Sequence, residues 1–239
     1  MEKLELLVLA GGFGTRLREA VADVPKPLAP VAEQPFLHYQ MESWIKQGVT
    51  AMTFLLHHRA DLIQSFLDSP RCAQWSRECQ LRTVTEPRPL GTGGSIAYAV
   101  GHFGMSGTFL VTNADTWLGS GIQILARTRA PAIAVVRVED SQRYGAVSLG
   151  QDQQIMGFEE KQRSAGPGWI NAGLYHLPAG AFQAWRGQPF SLEQELFPQV
   201  VKSGQLVAAP LRTEFIDIGV PADYRRFCRW TESGRAGAL

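Results

Sequence analysis

Leu4-Glu5-Leu6-Leu7-Val8-Leu9-Ala10-Gly11-Gly12-Phe13-Gly14-Thr15-Arg16-Leu17, followed by Pro25-Lys26-Pro27, sets the reading of this chain. Leu4–Ala10 is an apolar run of strand length, as expected of a strand buried on both faces. Three glycines then open the backbone. Glycine tolerates positive φ and lets peptide N–H groups come close to a ligand, and successive N–H groups in such a turn form a concavity for anions. Arg16 and Lys26 add two cations. A glycine turn with two cations at the end of a first strand predicts a seat for a nucleoside triphosphate. Two other phosphate loops are excluded: the chain has no Gly-Lys pair for a P-loop, and Leu17 stands where the dinucleotide fingerprint needs its third glycine.

Outward from this stretch, apolar runs alternate with amphipathic ones. Strands are predicted at Ala51–Leu56, Leu81–Thr85, Gly107–Thr112 and Ala132–Val138. Helices are predicted at Phe36–Gln47, Ala60–Leu67, Gly94–Val100 and Ile122–Arg129. The alternation predicts a Rossmann-like α/β fold, a mostly parallel sheet flanked by helices, with ligands beyond the carboxyl ends of the strands. From Tyr144 to Tyr175 the pattern changes to short strands (Ala146–Leu149, Ile155–Glu159, Ile170–Tyr175) between Gly, Asp and Pro turns, which predicts a small antiparallel insertion. Gln162–Gly168 reads as a loop. A helix at Leu192–Lys202, a strand at Leu206–Ala209 and a helix at Ala222–Trp230 complete the expected single domain, residues 1–232, with 233–239 as a tail. The apolar surface of the helix carrying Trp230 could support a homodimer.

Composition narrows the function classes. The net charge of +1 over 239 residues offers no bulk field for nucleic acid or an anionic membrane, so any anion site is local. No apolar run reaches the ~18 residues of a membrane span, and the first residues do not read as a signal peptide. Cys72, Cys79 and Cys228 are too few and too irregularly spaced for a disulfide framework or a zinc site, so reduced thiols in a cytoplasmic protein are expected. His57-His58 reads as two residues on opposite faces of a strand, not a metal pair.

Two aspartates stand out by position. Asp115 follows the strand ending at Thr112, and Asp217 interrupts the apolar run Phe215-Ile216-Asp217-Ile218. A lone acid between isoleucines is costly to bury unless it is paired or holds a metal. Magnesium takes a few carboxylates and fills its remaining positions with water and substrate oxygens.

These segments resemble the sugar-1-phosphate nucleotidyltransferases over Leu6 to about Arg226. The Leu9–Leu17 loop with Pro25-Lys26-Pro27 matches the family signature. Asn113-Ala114-Asp115-Thr116 looks like its Asn-Gly-Asp-Thr segment, with Ala114 for the usual Gly, and Asp217-Ile218-Gly219-Val220-Pro221 looks like its Asp-Ile-Gly-Thr-Pro. The resemblance implies a glycosyltransferase-A-like fold whose antiparallel insertion binds the sugar. It implies Mg2+ on Asp115 and Asp217, and catalytic roles for Arg16, Lys26 and Lys161. Leu9, Ala10, Gly11, Gly12, Gly14 and Thr15 would line the nucleotide. Tyr144, Gly145, Glu160, Lys161 and Asn171 would hold the sugar phosphate, in the segments Tyr144-Gly145, Glu159-Glu160-Lys161 and Asn171-Ala172-Gly173. No hexapeptide repeats follow, so the β-helix appended to some relatives is not expected.

Glu86-Pro87-Arg88-Pro89-Leu90-Gly91-Thr92-Gly93-Gly94 resembles the base-recognition loop of the same family, with Glu86, Pro89, Gly91 and Thr92 as nucleotide contacts. The prolines stiffen this loop, its glycines admit a planar ring, and Thr92 is expected to cap the helix that follows. Relatives using thymidine or uridine triphosphates often carry Gln at position 86. A carboxylate accepts two hydrogen bonds side by side, which suits the ring N–H and exocyclic amine of guanine. The implied reaction is transfer of a guanylyl group from GTP to a sugar 1-phosphate. The favoured sugar is D-glycero-α-D-manno-heptose 1-phosphate, by the short length, and the alternative is mannose 1-phosphate. A thymidylyl-, uridylyl- or cytidylyltransferase is a further alternative. A catalytically silent nucleotide sensor is disfavoured because Arg16, Lys26, Asp115, Lys161 and Asp217 are all present. By analogy, a GDP-heptose product would lead to capsule or surface polysaccharide.

Overall fold

The computed structural model describes residues 4–14, 17, 21, 24–75, 77–144, 146–159 and 166–234. Thr15, Arg16, Gly145, Glu160 and Lys161 lie outside the described residues, as do 162–165 of the expected loop and 235–239 of the expected tail. The fold is α/β, and the chain divides into two units: Met1–Pro89, Thr112–Ser120 and Glu214–Leu239 form the first, Leu90–Val111 and Gly121–Thr213 the second.

The first unit begins with β1 (Glu5–Leu9), a short hairpin of β2 (Pro30–Val31) and β3 (Gln34–Pro35), and α1 (Phe36–Lys46). β4 (Ala51–Leu56), α2 (Ala60–Leu67), α3 (Pro70–Ala73) and β5 (Gln80–Thr85) follow. β4 pairs in parallel with β1 (Val8↔Phe54) on one side and with β5 (Leu55↔Val84) on the other. All six of its residues are buried, which is why it reads as an apolar run broken only by Thr53. α1 buries Phe36, Leu37, Met41 and Trp44, apolar residues at helical spacing, while Ile45 on the same stretch is only partly covered. The predicted elements here match the structure to within a residue.

The chain then forms α4 (Gly91–Phe103) and β6 (Thr108–Asn113), and returns to the first unit with β7 (Thr116–Leu118). The second unit continues through α5 (Ile122–Arg127), β8 (Ala132–Val138), β9 (Ala146–Leu149), β10 (Ile155–Glu159), β11 (Gly168–Pro178), α6 (Phe197–Lys202) and β12 (Val207–Leu211). β12 runs parallel to β8. β11 is antiparallel to β8 and β9, and β9 to β10, so the expected antiparallel region is present.

Three expectations are corrected. β11 extends beyond Ile170–Tyr175 at both ends, pairing with β8 from Gly168 to His176 across a register shift between Asn171 and Tyr175, where Gly173 has φ 71°. The single helix expected at Leu192–Lys202 is a π turn at Leu192–Leu196 followed by α6. Pro198 lacks the N–H an uninterrupted helix needs there. α4 begins at Gly91, three residues before the predicted start, with Leu90 and not Thr92 at its N-cap.

β13 (Phe215–Asp217) and α7 (Pro221–Glu232) complete the first unit. β13 lies antiparallel to β7, Ile216 opposite Trp117 and Asp217 opposite Thr116. Strands of three residues carry too little periodicity to be read from sequence. A local core fixes this pair: Trp117, Phe36, Phe227, Ile216 and Ile218 are buried together, with the Phe36 and Phe227 rings 4.7 Å apart. The Trp230 ring packs 5.2 Å from Trp117, so the surface read as a dimer contact turns at least partly to this core.

The three cysteines are unpaired; burial pushes the thiols of Cys72 and Cys79 up to about 11, which keeps them protonated and unreactive. Among the described residues, no helix is long and apolar enough to cross a membrane.

Candidate active site

In the first unit the backbone gathers a charged cluster from four distant segments. The glycine loop leaves β1 at Leu9 and Ala10, and the Ala10 N–H donates to the Leu55 carbonyl of β4 at 3.0 Å. Gly14 has φ 64°, and a Cβ there would stand 2.9 Å from the Lys26 Cγ. Glycine is therefore required twice over, for its conformation and for contact with the lysine stem. A Cβ on Gly11 would press on His57 at 3.1 Å, whereas Gly12 faces open space. His57 and His58 do not lie on a strand as expected. They follow β4, and both rings approach Phe13, with centroids 6.0 and 5.1 Å away.

Lys26 starts a single 3-10 turn between Pro25 and Pro27, so its backbone is set by rings. Its Nζ donates to Asp115 Oδ2 at 2.8 Å, with both side chains largely screened from solvent. Asp115 sits in the turn between β6 and β7. The Ala114 N–H donates to the Leu9 carbonyl at 3.1 Å, and the Ile218 N–H to the Asp115 carbonyl at 2.9 Å. β7 and β13 bring Asp217 alongside. Its Oδ1 accepts the Gly219 N–H at 2.7 Å, and a Cβ on Gly219 would meet that oxygen at 2.8 Å and Lys26 Nζ at 3.3 Å. Lys26, Asp115 and Asp217 thus converge where the chain carries glycines at both approaches. Among the described residues no group of three or more His, Cys, Asp or Glu side chains forms a metal cage. The carboxylates of Asp115 and Asp217 are donors that suit a hard divalent cation, the rest of whose shell comes from water and phosphate oxygens.

Glu86 follows β5. It is 7% exposed, its N–H donates to the Leu56 carbonyl at 2.8 Å, and its carbonyl lies 3.4 Å from His57 Nδ1. Pro89 is exposed.

The remaining described candidates belong to the second unit. The Thr92 hydroxyl donates to Glu193 Oε2 at 2.8 Å and accepts from the Leu192 N–H at 2.9 Å. The Asn171 amide is bonded within its own strand: Oδ1 accepts from the Gly173 N–H at 2.9 Å and Nδ2 donates to the Tyr175 hydroxyl at 3.1 Å. That hydroxyl donates to Glu193 Oε1 at 3.4 Å. Thr92 and Asn171 are therefore joined through Glu193 and Tyr175. Tyr144 lies in a turn, its N–H donating to the Ser141 carbonyl, with the Arg143 guanidinium 5.2 Å from its ring. The planar group lying on Gly93 is the Phe190 ring, which occupies the place a Cβ there would need, while Gly91 meets the Phe190 backbone.

The nucleotidyl transferase family model matches residues 5–233. The chain belongs to the nucleotidyl transferase family. Among its family relatives, D-glycero-alpha-D-manno-heptose 1-phosphate guanylyltransferase of Campylobacter jejuni is 29% identical over 94% of this chain and 98% of its own length. Mannose-1-phosphate guanyltransferase beta-A of Xenopus laevis is 31% identical over 97% of this chain. The chain spans 66% of that relative's length. The crystal structure of HddC from Yersinia pseudotuberculosis complexed with GMP-PN is similar with TM-score 0.82 and 32% identity, covering 95% of this chain and 98% of that one. The fold is also shared with the structure of UDP-glucose pyrophosphorylase complexed with UDP-glucose, at 17% identity and TM-score 0.81.

Residues that hold these candidates in place within each unit are not among the sequence-predicted ones. Gln40, 1% exposed, donates to the Thr116 carbonyl at 2.9 Å and steadies the turn carrying Asp115. Its signal is a lone amide on the apolar face of α1. Glu193 and Tyr175 carry no local signal, because the Thr92 that Glu193 holds stands 101 residues away and Tyr175 18 residues away.

Proposed function

We propose that this protein transfers a guanylyl group from GTP to a sugar 1-phosphate, with D-glycero-α-D-manno-heptose 1-phosphate as the favoured acceptor, giving a GDP-sugar and pyrophosphate. The observation that carries the reading is the convergence of the Gly14 turn, Lys26, Asp115 and Asp217 in the first unit. A sugar 1-phosphate oxygen attacks the α-phosphorus of GTP in line with the departing pyrophosphate. The dianion is already a competent nucleophile, so no side chain need become covalent, and the protein supplies position and charge neutralisation.

In this reading the amides of Gly11, Gly12 and Gly14, with Thr15 and Arg16, hold the departing pyrophosphate. Leu9 and Ala10 line the nucleotide, and Lys26 and Lys161 grip the two reactants. Asp115 and Asp217 would hold Mg2+, which when bound neutralises phosphate charge. Tyr144, Gly145, Glu160 and Asn171 line the sugar phosphate. Pro89, Gly91 and Thr92 shape the loop beneath the base, and the Glu86 carboxylate receives the two donors of guanine. Guanine is supported by guanylyltransferase relatives and by the likeness to a structure complexed with GMP-PN. Three unpaired thiols support a reducing compartment, the cytoplasm.

Near-complete coverage of the heptose relative favours heptose. The 31% identity to a mannose-1-phosphate relative sustains mannose as the second reading. Pyrophosphate release over a matrix of nucleoside triphosphates and sugar 1-phosphates decides both points. GTP with the heptose 1-phosphate is expected to give the highest kcat/KM; preference for UTP or dTTP would overturn the base assignment, and preference for mannose 1-phosphate the sugar.

A further inference from the structure

We infer that Glu193 is a positioning residue for nucleotide binding, acting through Thr92 and through the Phe190 segment that clamps the base loop. The inference rests on the reading above, in which the Glu86–Gly94 loop receives the nucleotide.

The clamp is built from both sides. Phe190 donates its N–H to the Leu90 carbonyl at 2.9 Å, and its own carbonyl accepts the N–H groups of Gly93 and Gly94 at 3.0 and 3.3 Å. Both N–H groups lie at the start of α4, where the Gly93 N–H has no earlier helical carbonyl to reach. The Phe190 carbonyl reaches them from a distant segment of the chain, and neither Leu90 nor Thr92 caps the helix with a side chain. The glycines of the loop make this approach possible. A Cβ on Gly91 would stand 2.5 Å from the Phe190 carbonyl oxygen, and one on Gly93 inside the Phe190 ring contact.

Glu193 locks the clamp. Oε2 accepts from the hydroxyls of Thr92 and Ser191, each at 2.8 Å, and Oε1 accepts from Tyr175. Hydrogen bonds to an ionised acceptor are stronger than neutral ones. The Thr92 hydroxyl gives its proton to Glu193 and accepts the Leu192 N–H, so the threonine holds the loop's shape instead of offering that proton to a ligand. Glu193 lies in a single π turn, a form of helix that concentrates at functional sites. Removing its carboxylate frees the loop, and a loop that must be ordered on binding binds more weakly.

The test is calorimetric binding of a non-hydrolysable GTP analogue, alongside steady-state kinetics, for Glu193→Ala, Glu193→Gln, Thr92→Val and the Glu193→Ala/Thr92→Val pair. Expected are nucleotide binding and KM for GTP weakened about tenfold in Glu193→Ala with kcat largely kept, and a pair no worse than the stronger single variant. Partial rescue is expected in Glu193→Gln, whose amide oxygen still accepts from Thr92. If Glu193→Ala does not fold, Thr92→Val against Thr92→Ser carries the same comparison, with serine keeping the hydroxyl. Unchanged analogue binding in the variants, with only the sugar-phosphate KM raised, would overturn the inference, as would additive effects in the pair. A wild-type protein that does not bind the analogue would overturn the guanylyl reading itself and the inference with it.

Discussion

The charged cluster of the first unit and the hydrogen-bonded hub of the second solve the same problem by opposite means. Around Lys26, Asp115 and Asp217 the side chains are aimed by backbone: two prolines, a left-handed Gly14, the β7–β13 pair and its aromatic core. Around Thr92, Glu193, Tyr175 and Asn171 they are aimed by one another, through hydroxyls, an amide and a carboxylate. Backbone devices hold charges that would otherwise repel or wander. Side-chain networks tie together segments far apart along the chain, and their strength depends on every member being satisfied.

The contrast is most open to disproof at Lys26. Lys26→Met should lower kcat roughly 100- to 1,000-fold, the loss typical of a donor at a developing charge, while the unfolding midpoint holds. Pyrophosphate release and thermal melting measure the two sides; a loss of less than tenfold would remove the lysine from the reacting phosphates. Gly93→Ala forces a methyl group into the Phe190 ring, and overpacking of this kind costs about 1–3 kcal/mol, readable by urea unfolding. An unaffected midpoint would show that the Phe190 contact is slack. Gln40→Leu leaves the Thr116 carbonyl without its donor and should cost about 1 kcal/mol, with a larger proportional loss of turnover because the Asp115 turn loosens. Equal activity in this variant would mean that β7–β13 pairing alone sets the aspartate. Gly12→Ala, at a position facing open space, should change stability by less than about 0.5 kcal/mol. Its GTP KM should rise all the same, and an unchanged KM would place the triphosphate elsewhere.

The same division explains what the residues alone reveal. Backbone devices have residue-type signatures: glycine in a turn, proline around a lysine, a mostly apolar β4. The fold and the first-unit cluster are therefore legible in the sequence. Asp217 is conspicuous because isoleucines surround it, although the strand that carries it is too short to see. Glu193 is one of two acids along Leu192-Glu193-Gln194-Glu195, and its partners Thr92 and Tyr175 stand 101 and 18 residues away. Nothing local marks it. Gly91 and Gly93 read as room for a planar base, whereas the planar ring that the fold places on Gly93 is its own Phe190. His57 and His58 read as opposite faces of a strand, but the strand ends at Leu56 and both rings turn to Phe13.

All of this turns on direct transfer of the α-phosphorus between two bound reactants at the charged cluster. A single-turnover reaction with GTP labelled at the α-phosphorus, Mg2+ and the heptose 1-phosphate follows that atom from one reactant to the other. The label should appear in the GDP-sugar at the rate at which unlabelled pyrophosphate is released, with none on the protein, and Asp115→Asn should abolish both. Label retained on the protein, or released only as GMP, would contradict direct transfer.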